Sequence, residues 1–204
     1  GKVVNCYVYN NTFFQNDYNE EGYGELNITK VNNCVYKNNI FYTNDQNILL
    51  AKQDITPQTG IVFAYNCWFT PSNDSNNVDI YLAPNTISTF SNYRSNFSDY
   101  TSIYTDPKFI DTSLAVANFR INPQSNSLRD KGDPNYVAAN DETDFLGNPR
   151  VSGGRIDIGS YEFQVDLPLH LVNFYAQKKS QNVIITWVML NDVNNITQFT
   201  IERS

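Results

Sequence analysis

The 204-residue chain has one methionine, one histidine and three cysteines, and only 17% of its residues are charged. Each shortage removes a class of function. The single histidine, His170, has no Ser or Cys nucleophile motif beside it, so a catalytic triad has no support. Cys6, Cys34 and Cys67 show no CxxC spacing and no neighbouring His, which argues against zinc. No GxxxxGK or GxGxxG loop is present to cradle a phosphate, and no Asp-x-Asp-x-Asp-Gly run of the calcium-loop kind occurs. The 14 Lys and Arg are outnumbered by 21 Asp and Glu, for a net charge of −7. That balance argues against a nucleic-acid surface, which depends on clustered cations. No apolar run approaches the roughly 18–20 residues that span a bilayer. No signal-peptide pattern opens at Gly1; for an exported protein, the leader has been removed or the sequence starts inside a longer chain.

What is abundant is asparagine, with 30 residues, together with 14 tyrosines and 13 phenylalanines. Asn side chains compete for nearby backbone groups and disfavour long helices. Aromatic residues suit a pleated, half-buried surface, so the composition predicts a β core.

Two stretches repeat in one register. Asn5-Cys6, Asn10-Asn11, Phe13-Phe14 and Asn16 recur as Asn33-Cys34, Asn38-Asn39, Phe41-Tyr42 and Asn44, at a constant offset of 28 residues. A looser copy follows, in which Asn66-Cys67-Trp68-Phe69 matches Asn39-Ile40-Phe41-Tyr42 at 27. Short apolar alternations separated by Asn-rich turns, repeated at this length, predict stacked β-coils over about residues 1–82. In such a stack equivalent asparagines form an amide ladder, and Asn tolerates the left-handed backbone of sharp corners. Cys6 and Cys34 occupy equivalent positions about one strand spacing apart, near 4.8 Å. In-register side chains point the same way, a poor geometry for a disulfide, so these thiols are expected as small buried apolar groups. Loop-like insertions fall at residues 17–24 and 53–60, and the repeat dissolves over about 83–104 into what reads as a lateral excursion.

A dense signature follows: Asp106-Pro107-Lys108-Phe109-Ile110-Asp111, then Asn118-Phe119-Arg120-Ile121-Asn122-Pro123. It closes with Asp144-Phe145-Leu146-Gly147-Asn148-Pro149-Arg150, Gly153-Gly154-Arg155 and Ile156-Asp157-Ile158-Gly159-Ser160-Tyr161-Glu162. This resembles the C-terminal end of secreted bacterial right-handed parallel β-helix proteins of the pectate-lyase-like group. Departures are Asn118 for the usual Asp, Asn126-Ser127-Leu128-Arg129 for Pro-Ala-Ile-Asp, and Ser160 for Ala. From residue 166 the chain also resembles the opening strands of a fibronectin-III-like module, as in Bacteroidetes substrates of type IX secretion. The carrying residues are 167–176, Val183-Ile184-Ile185-Thr186-Trp187, and Phe199-Thr200-Ile201-Glu202-Arg203-Ser204. A full sandwich needs about seven strands, and about three are present.

The expected fold is therefore all-β: the last coils and cap of a right-handed parallel β-helix over 1–165, then an incomplete β-sandwich over 166–204. The resemblance implies a secreted protein, or one on the outer-membrane surface of a Gram-negative bacterium.

For chemistry, Asp130, Asp133, Asp141, Asp144, Asp157 and Glu162 are either a Ca²⁺ site or turn caps paired with Arg150 and Arg155. Hard oxygen ligands suit Ca²⁺, but no motif supports it, and no cofactor is expected. Lys30, Lys37, Lys52 and Arg94 are the basic residues available to a polysaccharide lyase, yet no pair recurs at coil spacing. Asp17, Glu20, Glu21 and Glu25 offer carboxylates for glycoside hydrolysis or form a solvated loop. Tyr18, Tyr23, Tyr93 and Tyr100, with Tyr104, lie in polar context and are candidates for stacking on sugar rings.

Three functions remain open. The first is a non-catalytic stalk or adhesin section that binds a polysaccharide or cell-surface glycan. The second is a lyase or glycoside hydrolase with its active coils upstream. The third is a filament subunit that self-associates end to end through strand edges.

Overall fold

A computed structural model describes residues 1–19, 21–44, 48–113, 115–164 and 170–190. The chain divides into two compact units, Gly1–Gln164 and Val165–Ser204.

The first unit is built mainly of very short strands in three successive turns of chain, or rungs. The first rung holds β1 (Val3–Val4), β2 (Tyr7–Tyr9), β3 (Thr12–Phe14) and β4 (Leu26–Asn27). The second holds β5 (Val31–Asn32), β6 (Val35–Lys37), β7 (Ile40–Tyr42) and β8 (Ile48–Lys52). The third holds β9 (Val62–Ala64), β10 (Cys67–Phe69) and β11 (Asp79–Leu82). Strand β12 (Asn85–Ile87) folds back antiparallel on β11. Equivalent strands pair in parallel, giving sheets β1-β5, β2-β6-β9 and β3-β7-β10, and the run β4-β8-β11.

The pairing follows the repeat. Tyr7 faces Val35 and Thr12 faces Ile40 at the 28-residue offset, and Ile40 faces Cys67 at 27. Corners fall on asparagine because the chain turns there through the left-handed region: Asn5 and Asn33 have φ of 57° and 51°, and Asn10 and Asn38 have 59° and 54°. Tyr65 takes the same corner in the third rung, at 54°.

Inside the stack, like residues lie over like. Phe13 stacks on Phe41 with centroids 4.8 Å apart, and Phe41 on Trp68 at 4.2 Å. Such pairs add about 0.5–1.5 kcal/mol each beyond their burial. Beside this column runs the amide ladder. Both the backbone N–H and the Nδ2 of Asn11 donate to Asn39 Oδ1 (3.0 and 3.1 Å), and those of Asn39 donate to Asn66 Oδ1 (2.9 and 3.1 Å). Ser102 ends it, its Oγ accepting from the Asn66 N–H at 2.8 Å. All three cysteines are free thiols; Cys34 and Cys67 are buried and Cys6 is half-buried.

Residues 83–104 are more than a lateral excursion. They include α1 (Phe90–Phe97), which Thr89 caps by accepting from the Asn92 N–H, and β13 (Ile103–Tyr104), which adds a fourth strand beside β10. The helix lies over the third rung: Tyr93 packs edge-on to Trp68 at 5.2 Å and Phe97 to Phe63 at 5.0 Å.

The signature segment then runs back along the outside of the stack. β14 (Phe109–Asp111) and β15 (Asn118–Ile121) form an antiparallel pair. Phe109 meets Tyr42 of the second rung at 5.9 Å, and Phe119 meets Phe14 of the first at 4.7 Å. Ile121, Leu128 and Ile158 bury a second core against Ile40 and Cys67. The Gly159 N–H donates to Asn38 O at 2.8 Å, and Ser160 Oγ shares a hydrogen bond with Thr12 Oγ1 at 3.0 Å. These residues, expected over the last coil, instead clasp the side of the stack back to its first rung. The segment's apolar residues match the outward face of β3, β7 and β10, which needs covering as much as the end does.

The described part of the second unit is a hairpin of β16 (His170–Lys179) and β17 (Asn182–Leu190), antiparallel from His170↔Leu190 to Lys179↔Asn182. The expected strand at 199–204 lies outside the described residues. Among those residues, no helix is long and apolar enough to cross a membrane.

Candidate functional site

The four tyrosines read as sugar contacts divide. Tyr18 and Tyr23 sit on the loop between β3 and β4, with 67% and 44% of their surface exposed, and Tyr100, after α1, is 69% exposed. The loop is held by Asp17, which is buried and accepts from the backbone N–H of Glu21, Gly22 and Gly24 at 2.9–3.1 Å. The rings of Tyr18 and Tyr23 therefore project from a braced turn.

Tyr93 corrects the expectation. It is buried on α1, its ring packed against Trp68 and Phe90 and its hydroxyl donating to Asp99 Oδ2 at 2.7 Å. No face is left for a sugar. Tyr104, on β13, bonds through its hydroxyl to Thr70 Oγ1. Nor do the exposed rings form one platform: the loop of Tyr18 and Tyr23 follows β3, whereas Tyr100 precedes β13, and β7 and β10 lie between those strands in the sheet.

The basic residues raised for lyase chemistry are dispersed. Lys37 forms a 2.9 Å ion pair with Asp133, and that hydrogen bond raises the lysine's pKa. Lys52 donates to Asp54 O and Arg94 to Ser102 O, while Lys30 is exposed at a corner with φ 61°. Of the acidic group, Glu21 is exposed and Glu20 lies outside the described residues.

Glu25 is the chemically unusual member. It is buried, both carboxyl oxygens lie 3.1–3.2 Å from the Asn16 N–H, and its pKa is pushed up to about 8. Burial is the main cause, and the neighbouring Asp17 charge adds to it, against the lowering effect of the Asn16 amide.

Of the six signature carboxylates, Asp144, Asp157 and Glu162 are buried and fold inward onto backbone amides, whereas Asp141 is exposed and Asp133 pairs with Lys37. Asp144 accepts from the N–H groups of Leu146, Asn148 and Glu162 at 2.8–3.1 Å. Asp157 accepts from Asp130 and Phe163, both at 2.7 Å. Glu162 accepts from Ser152 and Asp157 at 3.0 Å, and its Oε2 is 3.5 Å from Arg150 Nη1. Burial, then the charge of Asp157, pushes Glu162 up to about 7 despite these donors and Arg150. Arg150 is itself buried and donates to the carbonyls of Gly159 and Asp157. This arrangement holds turns together. Among the described residues, no three His, Cys, Asp or Glu side chains converge to hold a metal ion.

No family model, curated protein or solved structure matches the chain. The functional reading rests on the residues themselves.

Two features escaped the sequence reading. One is the cleft of about 250 Å³ beside β15, lined by Arg120, Asn148, Tyr161 and Gln164 among others, with exposed Phe145 edge-on to Tyr161 at 5.6 Å. Nothing local in the sequence marks it, because its walls come from segments about 40 residues apart. The other is α1, for which a signal existed: Phe90, Tyr93 and Phe97 stand at helical spacing i, i+3, i+7 behind Thr89.

Proposed function

We propose that Gly1–Gln164 is the closing part of a right-handed parallel β-helix, and that it serves as a non-catalytic stalk or adhesin section of an extracellular protein. One observation carries this reading. The interior of the parallel stack is filled by repeating aromatic and amide columns, and the buried signature carboxylates are engaged by backbone amides that fix turns. Side chains used in this way stiffen a scaffold; they are not directed toward a substrate. Carbohydrate contact, in this reading, belongs to the exposed loop rings of Tyr18, Tyr23 and Tyr100. The second unit is the start of a fibronectin-III-like module that links the stack to an export or anchoring region.

The test has two arms. The chain is incubated with uronate polymers while unsaturated product is followed by absorbance, and it is separately titrated with immobilised glycans. The expectation is no product, together with glycan retention that weakens when Tyr18, Tyr23 and Tyr100 are changed to Ala. Sustained product formation that is abolished by Lys37→Ala overturns the non-catalytic reading.

A further inference from the structure

The two ends of the stack differ. α1 covers the third rung, whereas among the described residues of the first unit nothing packs over the inward side chains of the first rung. Cys6, Val8, Phe13 and Leu26 are only half-buried, while Cys34, Tyr36, Phe41 and Leu50, one rung on, are buried to 0–4% exposure. Val3 is 50% exposed and its strand partner Val31 only 5%.

The hydrogen bonds say what the open face accepts. Each interior ladder asparagine sends its Nδ2 back to a carbonyl of the rung before: Asn39 to Val8 O at 2.8 Å, and Asn66 to Tyr36 O at 2.9 Å. Among the described residues no such carbonyl lies before Asn11, whose Nδ2 turns instead to Tyr9 O of its own rung, at 2.7 Å. Asn39 Oδ1 and Asn66 Oδ1 each accept two donors from the preceding rung, whereas Asn11 Oδ1 accepts none among the described residues. The backbone behaves alike. Val35 N donates to Cys6 O and Ile40 N to Asn11 O, so by the same register the N–H groups of Tyr7 and Thr12 face the open side.

We propose that this face receives one further rung of the same polypeptide, parallel to β1–β4 and in register with them. That rung carries an asparagine over Asn11, an aromatic residue over Phe13 and small or aliphatic residues over Cys6 and Val8. The proposal rests on reading the unit as stacked β-helix coils. A covalent source is favoured because the strands of the first rung are only two or three residues long. A free peptide would order many residues for few bonds, at an entropic cost of about 1–2 kcal/mol per residue. A second copy meeting the face across a two-fold axis would run its strands antiparallel and break the amide ladder.

The test adds a duplicate of residues 1–28 ahead of Gly1, which preserves the 28-residue register, with Cys6→Ser in the added copy. Cys6 of the original rung is then labelled with a maleimide in the native chain, in the extended chain, and in a chain extended by a scrambled sequence of the same composition. The expected result is that the matched rung, and not the scrambled one, slows Cys6 labelling roughly tenfold or more, as for a group that reacts only on local opening. Equal protection by both extensions, or by neither, overturns the proposal. So does protection of Cys6 in the unextended chain that appears with concentration alongside a dimer in sedimentation, since a second copy is then the occupant. Cys34 and Cys67 separate this from failure of the stack itself: if they label as fast as Cys6, the stacked-rung reading has failed.

Discussion

Replacing Asn39 by Ala tests the amide ladder at a fully buried side chain. The side chain has no exposed surface, accepts from the backbone N–H and Nδ2 of Asn11, and donates to Val8 O and Asn66 Oδ1. The bonds to Val8 O and Asn66 Oδ1 at about 1–1.5 kcal/mol each, plus the loss of the Asn11 N–H acceptor at about 1 kcal/mol, give about 3–4 kcal/mol of destabilisation. The equivalent change Asn11→Ala removes an exposed side chain, and its two bonds there are worth about 1 kcal/mol together because water replaces them. The assay is urea unfolding followed by tryptophan fluorescence in a Trp187→Phe background, which leaves the buried Trp68 as reporter for the first unit. An unchanged m-value licenses reading the midpoint shift as stability. If the two substitutions cost the same within about 0.5 kcal/mol, burial does not set the worth of the ladder and the reasoning fails.

Two further outcomes are expected. Glu25 has a folded pKa of about 8 against 4.5 unperturbed, so the folded state binds more protons between those values, and stability is full below about 4.5 and falls as pH rises toward 8. The fall attributable to Glu25 is about 5 kcal/mol at most. Glu25→Gln should remove that part of the slope; because Glu162 contributes the same sign up to about 7, the decisive quantity is the wild-type minus variant difference, and a flat difference from pH 5 to 8 refutes it. Gly159 has φ of 107°, and a Cβ there would sit on the Ile40 side chain and near Thr12 Oγ1. Gly159→Ala should cost about 2–4 kcal/mol through strain and overlap, and a loss below about 1 kcal/mol by the same urea assay would mean that the clasp does not bear on the rungs.

How much was legible depended on the range of the contacts. A parallel in-register stack sets residues one repeat apart over each other. The Asn, Cys and aromatic pattern therefore reported the pairing of Thr12 with Ile40 and of Ile40 with Cys67 directly. The left-handed corners at Asn5, Asn10, Asn33 and Asn38 were legible for a similar reason, since few other residues accept that backbone. The tyrosines were not. Tyr18 and Tyr93 have equally polar immediate neighbours; the helical spacing of Tyr93 with Phe90 and Phe97 hinted at an apolar face, but the docking of α1 on Trp68 and Phe63 is what makes its ring a core ring.

The sequence by itself determined the rung: its length, its inward aromatics, its amide ladder and its corners, all fixed by chemistry repeated at one spacing. Tertiary structure alone decided which ends and sides of the stack are covered. The helix closes the third rung, the signature segment clasps the flank back to Thr12, Glu25 is desolvated within an acidic loop, and the inward side chains of the first rung are less buried than those of the second. Those outcomes depend on contacts between segments up to 148 residues apart, as between Thr12 and Ser160. No local periodicity encodes such contacts; they form where matching apolar area and unpaired hydrogen-bonding groups meet.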